Sequence, residues 1–123
     1  MTPEEAVFRF LGRFGIPAYP TSSTPDEAPM PYLTYSLPET GWGGEEVSMQ
    51  VDVWYRTESE KEPNAKAREL FEAIGLGGVL LPCDGGGMWL KRGNPWCQAV
   101  TDGSGDDKVK RRYINIDIEY MIA

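Results

Sequence analysis

The residues of this sequence whose types and spacing could support chemistry are carboxylates. Asp52, Asp117 and Glu119 fall at polar positions of two long alternating segments, and they come close together if those segments are neighbouring strands. Carboxylates grouped in that way serve acid–base catalysis or bind a metal ion. The same side chains also suit a solvated or interface surface, and we favour that interpretation.

The sequence lacks the residues that most other kinds of catalysis need. The sequence contains no His, the commonest general base and metal ligand, so the usual Ser and Cys triads lack their base. The glycines at 85–87 are not followed by the Gly-Lys-Ser/Thr of a phosphate-binding loop, and we interpret them as a hairpin turn. We therefore assign no catalytic residue, no metal ligand and no cofactor, and we expect a protein that is not an enzyme.

The two cysteines, Cys83 and Cys97, are fourteen residues apart and form no CxxC motif, which argues against a structural zinc site. They fall on neighbouring predicted strands and could face each other. Two cysteines in a chain of 123 residues fit a reducing compartment better than a disulfide scaffold. We predict that both are free thiols.

Residues 45–57 (EEVSMQVDVWYRT) contain the segment around which the rest of the chain is organised. Side chains on a strand alternate between two faces, and every second residue here is apolar: Val47, Met49, Val51, Val53 and Tyr55. This pattern predicts a central strand with Val51 in the core. A second long alternation closes the chain, with apolar residues at Ile114, Ile116, Ile118, Tyr120 and Ile122.

Two helices are predicted to cover one face of the resulting sheet. The first begins with a capping box between Thr2 and Glu5, carries an apolar stripe over 6–14 and ends at Gly15. We expect its three phenylalanines to pack in the core: Phe8, Phe10 and Phe14. The second helix follows a capping box predicted between Ser59 and Glu62, has Pro63 near its start and an apolar stripe over 67–74.

Shorter strands complete the predicted fold. We expect them at 16–19 (an edge), 31–37, 79–83, 88–91 and 96–101, with a turn at 41–44 that makes the second of them antiparallel to the central strand. Loops are expected at 20–31 and 102–107. The prediction is an α/β (α+β) domain over residues 1–123, with a mixed, mainly antiparallel β-sheet and two α-helices packed on one face.

Trp54 falls on the polar face of the central strand, and Arg56 follows two residues later on the same face. Trp and Arg are enriched at the centres of protein–protein contacts, so these two residues are a candidate subunit interface. The alternative is that Trp54 lies under the first helix or a loop. The residue pattern leaves both interpretations open.

Charge and hydropathy limit the partners. The chain has 12 basic and 19 acidic residues, and its net charge of −7 argues against binding nucleic acid through a basic patch. No apolar run approaches the ~18–20 residues of a membrane span. Glu4 and Glu5 stand where a secretion signal carries basic residues, so we expect no targeting segment.

Dispersed segments across nearly the whole chain resemble small tail-completion proteins of long-tailed bacteriophages and prophages, and the tail terminators most of all. The segments that carry the resemblance are 14–20 (FGIPAYP), 31–35 (PYLTY), 51–57 (VDVWYRT), 64–67 (NAKA), 88–96 (MWLKRGNPW) and 112–116 (RYINI). The resemblance implies a ring, commonly a hexamer, that caps the tail tube and joins it to the head connector. It supplies no active-site residues.

The implied partners are other copies of the chain, the tail tube protein and the head–tail connector protein. The implied location is the head–tail joint of the virion, with the host cytoplasm during assembly. Duplex DNA would pass through the ring without specific binding, and an acidic lumen would repel it; Asp106, Asp107, Asp117 and Glu119 are candidates for that lining. The alternatives are another head–tail joining protein, such as a stopper or adaptor, and a small metal-dependent enzyme that uses the acidic face.

Overall fold

The computed structural model describes residues 1–38, 46–101 and 103–122. The strands are β1 (Ala18–Pro20), β2 (Tyr32–Ser36), β3 (Glu46–Arg56), β4 (Val79–Cys83), β5 (Gly86–Val100) and β6 (Val109–Ile122), and the helices are α1 (Pro3–Leu11) and α2 (Lys61–Ile74). The strands form one sheet in the order β1-β2-β3-β6-β5-β4. Only the β1–β2 pair is parallel. The predicted mixed, mainly antiparallel sheet with two helices is confirmed.

The two long alternating segments are neighbours at the centre of the sheet. β3 pairs with β6 along its whole length, and Val51 lies opposite Ile114. β2 pairs antiparallel with the other side of β3, as predicted. The turn expected at 41–44 lies outside the described residues. Residue 51 therefore occupies the middle of the sheet, which confirms β3 as a central strand.

The start of α1 follows the prediction and the start of α2 does not. The Glu5 backbone N–H donates to Thr2 Oγ1 at 3.1 Å, and the Thr2 N–H donates to Glu5 Oε1 at 3.1 Å, which completes the capping box. The N-cap of α2 is Glu60, which makes no side-chain cap. Ser59 Oγ instead accepts from the Lys61 N–H at 3.1 Å. The predicted box is wrong because Ser59 precedes the N-cap by one residue.

Both helices pack on the same face of the sheet and enclose the core. Its largest fully buried side chains are Phe10, Leu11, Leu33, Met49, Leu70, Ile74, Met88, Leu90, Ile114, Ile116, Ile118 and Val7. Phe8 does not belong to it, since 53% of the residue is exposed. Two positions along an α-helix rotate the side chain by about 200°. Phe8 therefore points away from the sheet when Phe10 points towards it, and its predicted packing is wrong.

β5 is one strand where two were expected. Arg92 pairs with Ile116 and Cys97 pairs with Ile114, so extra residues of β5 bulge out between two stretches that both pair with β6. Gly93 makes this possible because its backbone lies against Asn115: a Cβ atom would stand 2.5 Å from the Asn115 carbonyl oxygen. The Asn115 side-chain amide donates to the Pro95 carbonyl at 2.9 Å and fastens the bulge.

The outer strands of the sheet are short and each contains a proline. β1 has three residues and ends at Pro20, and β4 has five residues and includes Pro82. A proline has no backbone N–H, so it cannot donate a ladder hydrogen bond. Each outer strand therefore presents few backbone N–H donors along the edge that is not paired with another strand.

Cys83 and Cys97 do not face each other. Cys83 pairs with Gly86, whose partner on β6 is Ile122, whereas Cys97 pairs with Ile114. Eight residues of β6 separate these positions, which is about 27 Å at ~3.4 Å per residue. A disulfide needs Cα atoms within about 7 Å. The fold of one subunit therefore excludes a bond between the two sulfurs, and both thiols are free.

We expect a thiol titration under denaturing, non-reducing conditions to give two thiols per chain, one from each of the two free cysteines. Cys97→Ser should lower the count by one and provides the internal control. A count of zero with a mass lower by two hydrogens would contradict the prediction.

Candidate functional site

One face of the sheet carries no helix in the described part of the chain, and we call it the open face. It is opposite the core because β3 alternates: Met49, Val51 and Val53 are buried under the helices, whereas Gln50 and Trp54 are only partly buried on the other side. A mainly antiparallel sheet commonly leaves one face in water, and that face is then mostly polar, so aromatic and apolar side chains on it indicate a contact. The open face is therefore the surface on which to look for function.

A row of aromatic side chains crosses one corner of the open face. The ring centroids of Tyr19 and Tyr32 are 5.7 Å apart, and those of Tyr32 and Trp54 are 6.3 Å apart. The Arg111 guanidinium lies 5.0 Å from the Trp54 ring, and the indole N–H donates to Thr34 Oγ1 at 3.0 Å. We call Tyr19, Tyr32, Trp54 and Arg111 the aromatic row. Trp54 does not lie under α1, since that helix packs on the opposite face.

Arg56 and Asp106, which the sequence assigned to different surfaces, bind each other. Arg56 Nη1 lies 2.9 Å from Asp106 Oδ2. The pKa of Asp106 lies below its ordinary value, mainly because its carboxylate accepts the Lys108 backbone N–H and also because Arg56 is close. Asp107 is the next residue and is exposed. The candidate interface and half of the candidate lining therefore occupy the same end of the sheet.

The other two lining candidates lie far from that end. Asp117 pairs with Ser48 and Glu119 pairs with Glu46, near the opposite end of β3. Lys91 Nζ lies 2.5 Å from Glu46 Oε2 beside them. Burial and the Glu46 charge raise the pKa of Asp117 above its ordinary value, and Lys91 opposes that shift. The four predicted lining residues thus form two groups and not one.

Asp52 does not join the other carboxylates of the predicted acidic cluster. It lies opposite Tyr113 on β6, four residues from Asp117, which corresponds to about 13 Å along a strand. It is buried, and it accepts from Arg111 Nε at 3.1 Å and from the Gln50 amide at 2.9 Å. Among residues 1–38, 46–101 and 103–122, no three His, Cys, Asp or Glu side chains are arranged to hold a metal ion. The expected proximity is wrong because strand adjacency does not determine register.

Sequence reasoning missed an apolar patch at the opposite corner of the open face. Leu80 pairs with Trp89, and Gly87, which contacts the Leu80 side chain, pairs with Met121. Leu80, Trp89 and Met121 are 57%, 39% and 41% exposed, and we call them the apolar patch. The Trp89 indole N–H donates to the Gly77 carbonyl at 2.9 Å. The sequence did contain a signal for this patch: Met88 and Leu90 are apolar, so Trp89 between them must point to the opposite face of the strand.

A buried arginine was missed as well. Arg112 is 5% exposed on the core side of β6, at the same parity as Ile114. Its Nη2 lies 3.0 Å from Glu60 Oε1, and its Nε donates to Asn64 Oδ1 at 3.0 Å. These bonds attach the first turn of α2 to the sheet. Arg112 is therefore a positioning residue for the helix and is unavailable for binding an anion.

Comparison with models of known protein families gives no match to this chain. Comparison with curated proteins likewise gives no significant relative. Neither helix in the described part of the chain has the length and apolarity that crossing a bilayer requires.

Proposed function

We propose that this protein is a tail terminator of a long-tailed phage or prophage, a structural subunit that forms a ring on the tail tube and joins it to the head connector. The observation that carries the proposal is the open face, a sheet surface with aromatic and apolar side chains and no helix over it in the described chain. A surface of that kind gains free energy when a partner removes it from water. The segments that resemble tail-completion proteins add the identity of the assembly.

The two corners of the open face suit two different contacts. A ring needs a contact between unlike patches of adjacent copies, and it also needs a contact with the tube below it. The aromatic row, with Trp54 and the neighbouring Arg56, supplies one side of the contact between copies. The apolar patch lies at the diagonally opposite corner, and we assign it to the tail tube protein.

The charge balance suits a ring around DNA. At a net charge of −7 the subunit repels a duplex over a Debye length of about 8–10 Å. Arg56 neutralises Asp106, so the lining is carried by Asp107 at one end and by Asp117 and Glu119 at the other. DNA then passes through without being held.

We expect light scattering at rising protein concentration to show a ring, with closure promoted by tail tube protein. Leu80→Asp should abolish association with the tube protein and leave the fold intact, because the side chain is exposed. Phe8→Asp is the matched control, since Phe8 is an equally exposed apolar residue on the helix side of the subunit. Loss of tube association in both variants, or in neither, would contradict the assignment of the patch.

A gel-shift assay with duplex DNA tests the lining. At ~0.15 M salt we expect no shift, since a net charge of −7 repels the phosphates of the duplex. Tight DNA binding under these conditions, or the absence of both ring formation and tube association at any concentration, would remove the terminator function. Catalytic activity that appears on addition of Mg²⁺ or Mn²⁺ would instead favour the alternative function, a small metal-dependent enzyme that uses the acidic face.

A further inference from the structure

A groove of about 490 Å³ lies on the helix side of the sheet, between α2 and the second half of β5. It is lined by Asn64, Ala67, Arg68, Phe71, Glu72, Trp96 and Cys97. Its floor is aromatic, since the rings of Phe71 and Trp96 meet edge to face at 5.4 Å. Arg92 fixes Phe71 from the other side: its guanidinium lies 3.4 Å from the ring centroid, and its Nε donates to the Phe71 carbonyl at 3.0 Å.

The groove presents two binding groups that have no partner among the described residues. Arg68 is exposed, and no carboxylate of the described chain lies within ion-pair distance of it. Across the residues that the structure describes, the Trp96 indole N–H likewise donates to no acceptor. A partly buried indole with a free N–H beside a second aromatic ring is the arrangement that binds proline-rich segments, whose rings stack on the aromatics and whose carbonyls accept the N–H.

The chain itself contains a segment of that composition. Residues 20–31 run from the last residue of β1 to the residue before β2; they include Pro20, Pro25, Pro29 and Pro31, and most of them are exposed. Pro20 (φ −57°, ψ 138°) and Thr24 (φ −72°, ψ 124°) have extended backbone angles near those of polyproline II, and they flank one 3₁₀ turn at Thr21–Ser23. The Ala28 N–H donates to the Pro25 carbonyl at 3.1 Å, which closes a turn with Asp26 and Glu27 at its tip. We call residues 20–31 the proline loop.

Charge complementarity connects the loop with the groove. Asp26 and Glu27 are exposed, and within the described residues neither is part of an ion pair. Arg68 is the cation of the groove that has no ion-pair partner in the described part of the chain. Glu72, one turn further along α2, repels carboxylates, so the loop tip is directed to the end of the groove formed by Asn64 and Arg68.

The loop cannot fill the groove of its own subunit. The proline loop leaves the sheet at β1 and β2, whereas the groove borders β5, and β3 and β6 lie between them. α2 packs over β3, β6 and β5 and stands between the two sites. A loop on one side and a groove on the other make the unlike pair of patches that a closed ring needs. The loop also emerges beside Tyr19 and Tyr32, so its contact is continuous with the aromatic row.

We propose that the proline loop of one copy of this chain docks in the α2–β5 groove of the next copy, with Asp26 and Glu27 beside Arg68 and the prolines on Phe71 and Trp96. This contact rests on the proposed ring function and supplies the second side of the contact between copies. The groove thus binds a proline-rich, acidic segment of the next copy.

A crosslink with the native thiol of the groove tests the contact. In Asp26→Cys, a short bismaleimide should join the new cysteine to Cys97 of a different copy, which gives a covalent dimer whose peptide link mass spectrometry identifies. Burial raises the pKa of the Cys97 thiol and slows its reaction, so the incubation is prolonged at neutral pH, where maleimides are selective for thiols. Cys97→Ser in the same background should abolish the product. Arg9→Cys, an exposed position of α1 beside Leu81 and Pro82 of β4, is the matched control for an accessible thiol away from the loop.

Charge-reversal substitutions test the same contact without a covalent crosslink. Arg68→Glu should weaken association between copies about five- to tenfold, because one attraction is lost and a repulsion replaces it. Adding Asp26→Lys and Glu27→Lys to Arg68→Glu should restore the association. Arg9→Glu, an equal reversal on α1, should have no effect.

The outcomes separate this contact from the proposed function. Rings in light scattering without the Asp26→Cys to Cys97 crosslink, or with no response to Arg68→Glu, would overturn the loop–groove contact and leave the terminator function in place. The crosslink without rings or tube association would support the contact and remove the terminator function. An equal crosslink yield from Arg9→Cys would overturn the contact as well.

Discussion

Val51→Asp is expected to prevent the domain from folding. Val51 is fully buried on β3, between Tyr35 of β2 and Ile114 of β6. A carboxylate at this position would have no cation and no water to solvate it, and leaving a buried charge unpaired costs several kcal/mol. That cost is comparable with the ~5–15 kcal/mol of an entire domain. Thermal unfolding followed by circular dichroism measures the effect.

Leu80→Asp is the matched control for Val51→Asp. It adds the same charge to the same sheet, but the Leu80 side chain is exposed, so water can solvate the carboxylate. Its melting temperature should stay close to that of the parent protein. A soluble Val51→Asp protein with an unchanged melting temperature would contradict the central position of β3.

Gly78→Ala is expected to destabilise the domain by about 2–4 kcal/mol, the sum of left-handed backbone strain and overpacking. Gly78 has φ +86°, a conformation that side-chain-bearing residues rarely adopt. A Cβ atom would also stand 2.3 Å from Trp89 Nε1 and 2.6 Å from the Leu90 carbonyl oxygen. The indole would have to leave the Gly77 carbonyl, so the hydrogen bond that fixes Trp89 is lost as well. Urea denaturation of the purified variant measures the difference.

The adjacent glycine provides the comparison. Gly77 lies outside the left-handed region, and nothing lies within 4 Å of a Cβ atom built on it. Gly77→Ala should therefore change the free energy of unfolding by less than about 1 kcal/mol. Equal losses in the two variants would mean that the close approach of Gly78 to Trp89 is not a source of stability.

The elements of this fold were predictable because burial imposes a local pattern. The alternation around Val51 identified β3 and its buried face, since every second side chain of a strand meets the core. Pairing register is different, because it depends on contacts between distant segments. Nothing near Asp52 in the sequence indicates that it lies opposite Tyr113 and away from Asp117. The predicted proximity of Asp52 to Asp117 and Glu119 was therefore wrong, although both strands that carry these residues were identified.

The packing prediction for Phe8 was wrong and the burial of Arg112 was missed, in each case because neighbouring residues suggested a different environment. Phe8 was grouped with Phe10 by residue type, whereas the helical period places them on opposite sides. Arg112 lies in a basic run that looks solvated, and only the parity of Ile114 indicates that it is buried. The groove beside Trp96 was beyond prediction, since the bulge at Gly93 that positions this residue depends on a backbone contact with Asn115.

The short, proline-containing outer strands have a consequence for how the protein behaves at high concentration. A long, free strand invites another chain to extend the sheet, and repetition of that step produces fibrils. Pro20 and Pro82 interrupt the donors on which such growth depends. The outer strands therefore disfavour edge-to-edge polymerisation of copies of this chain.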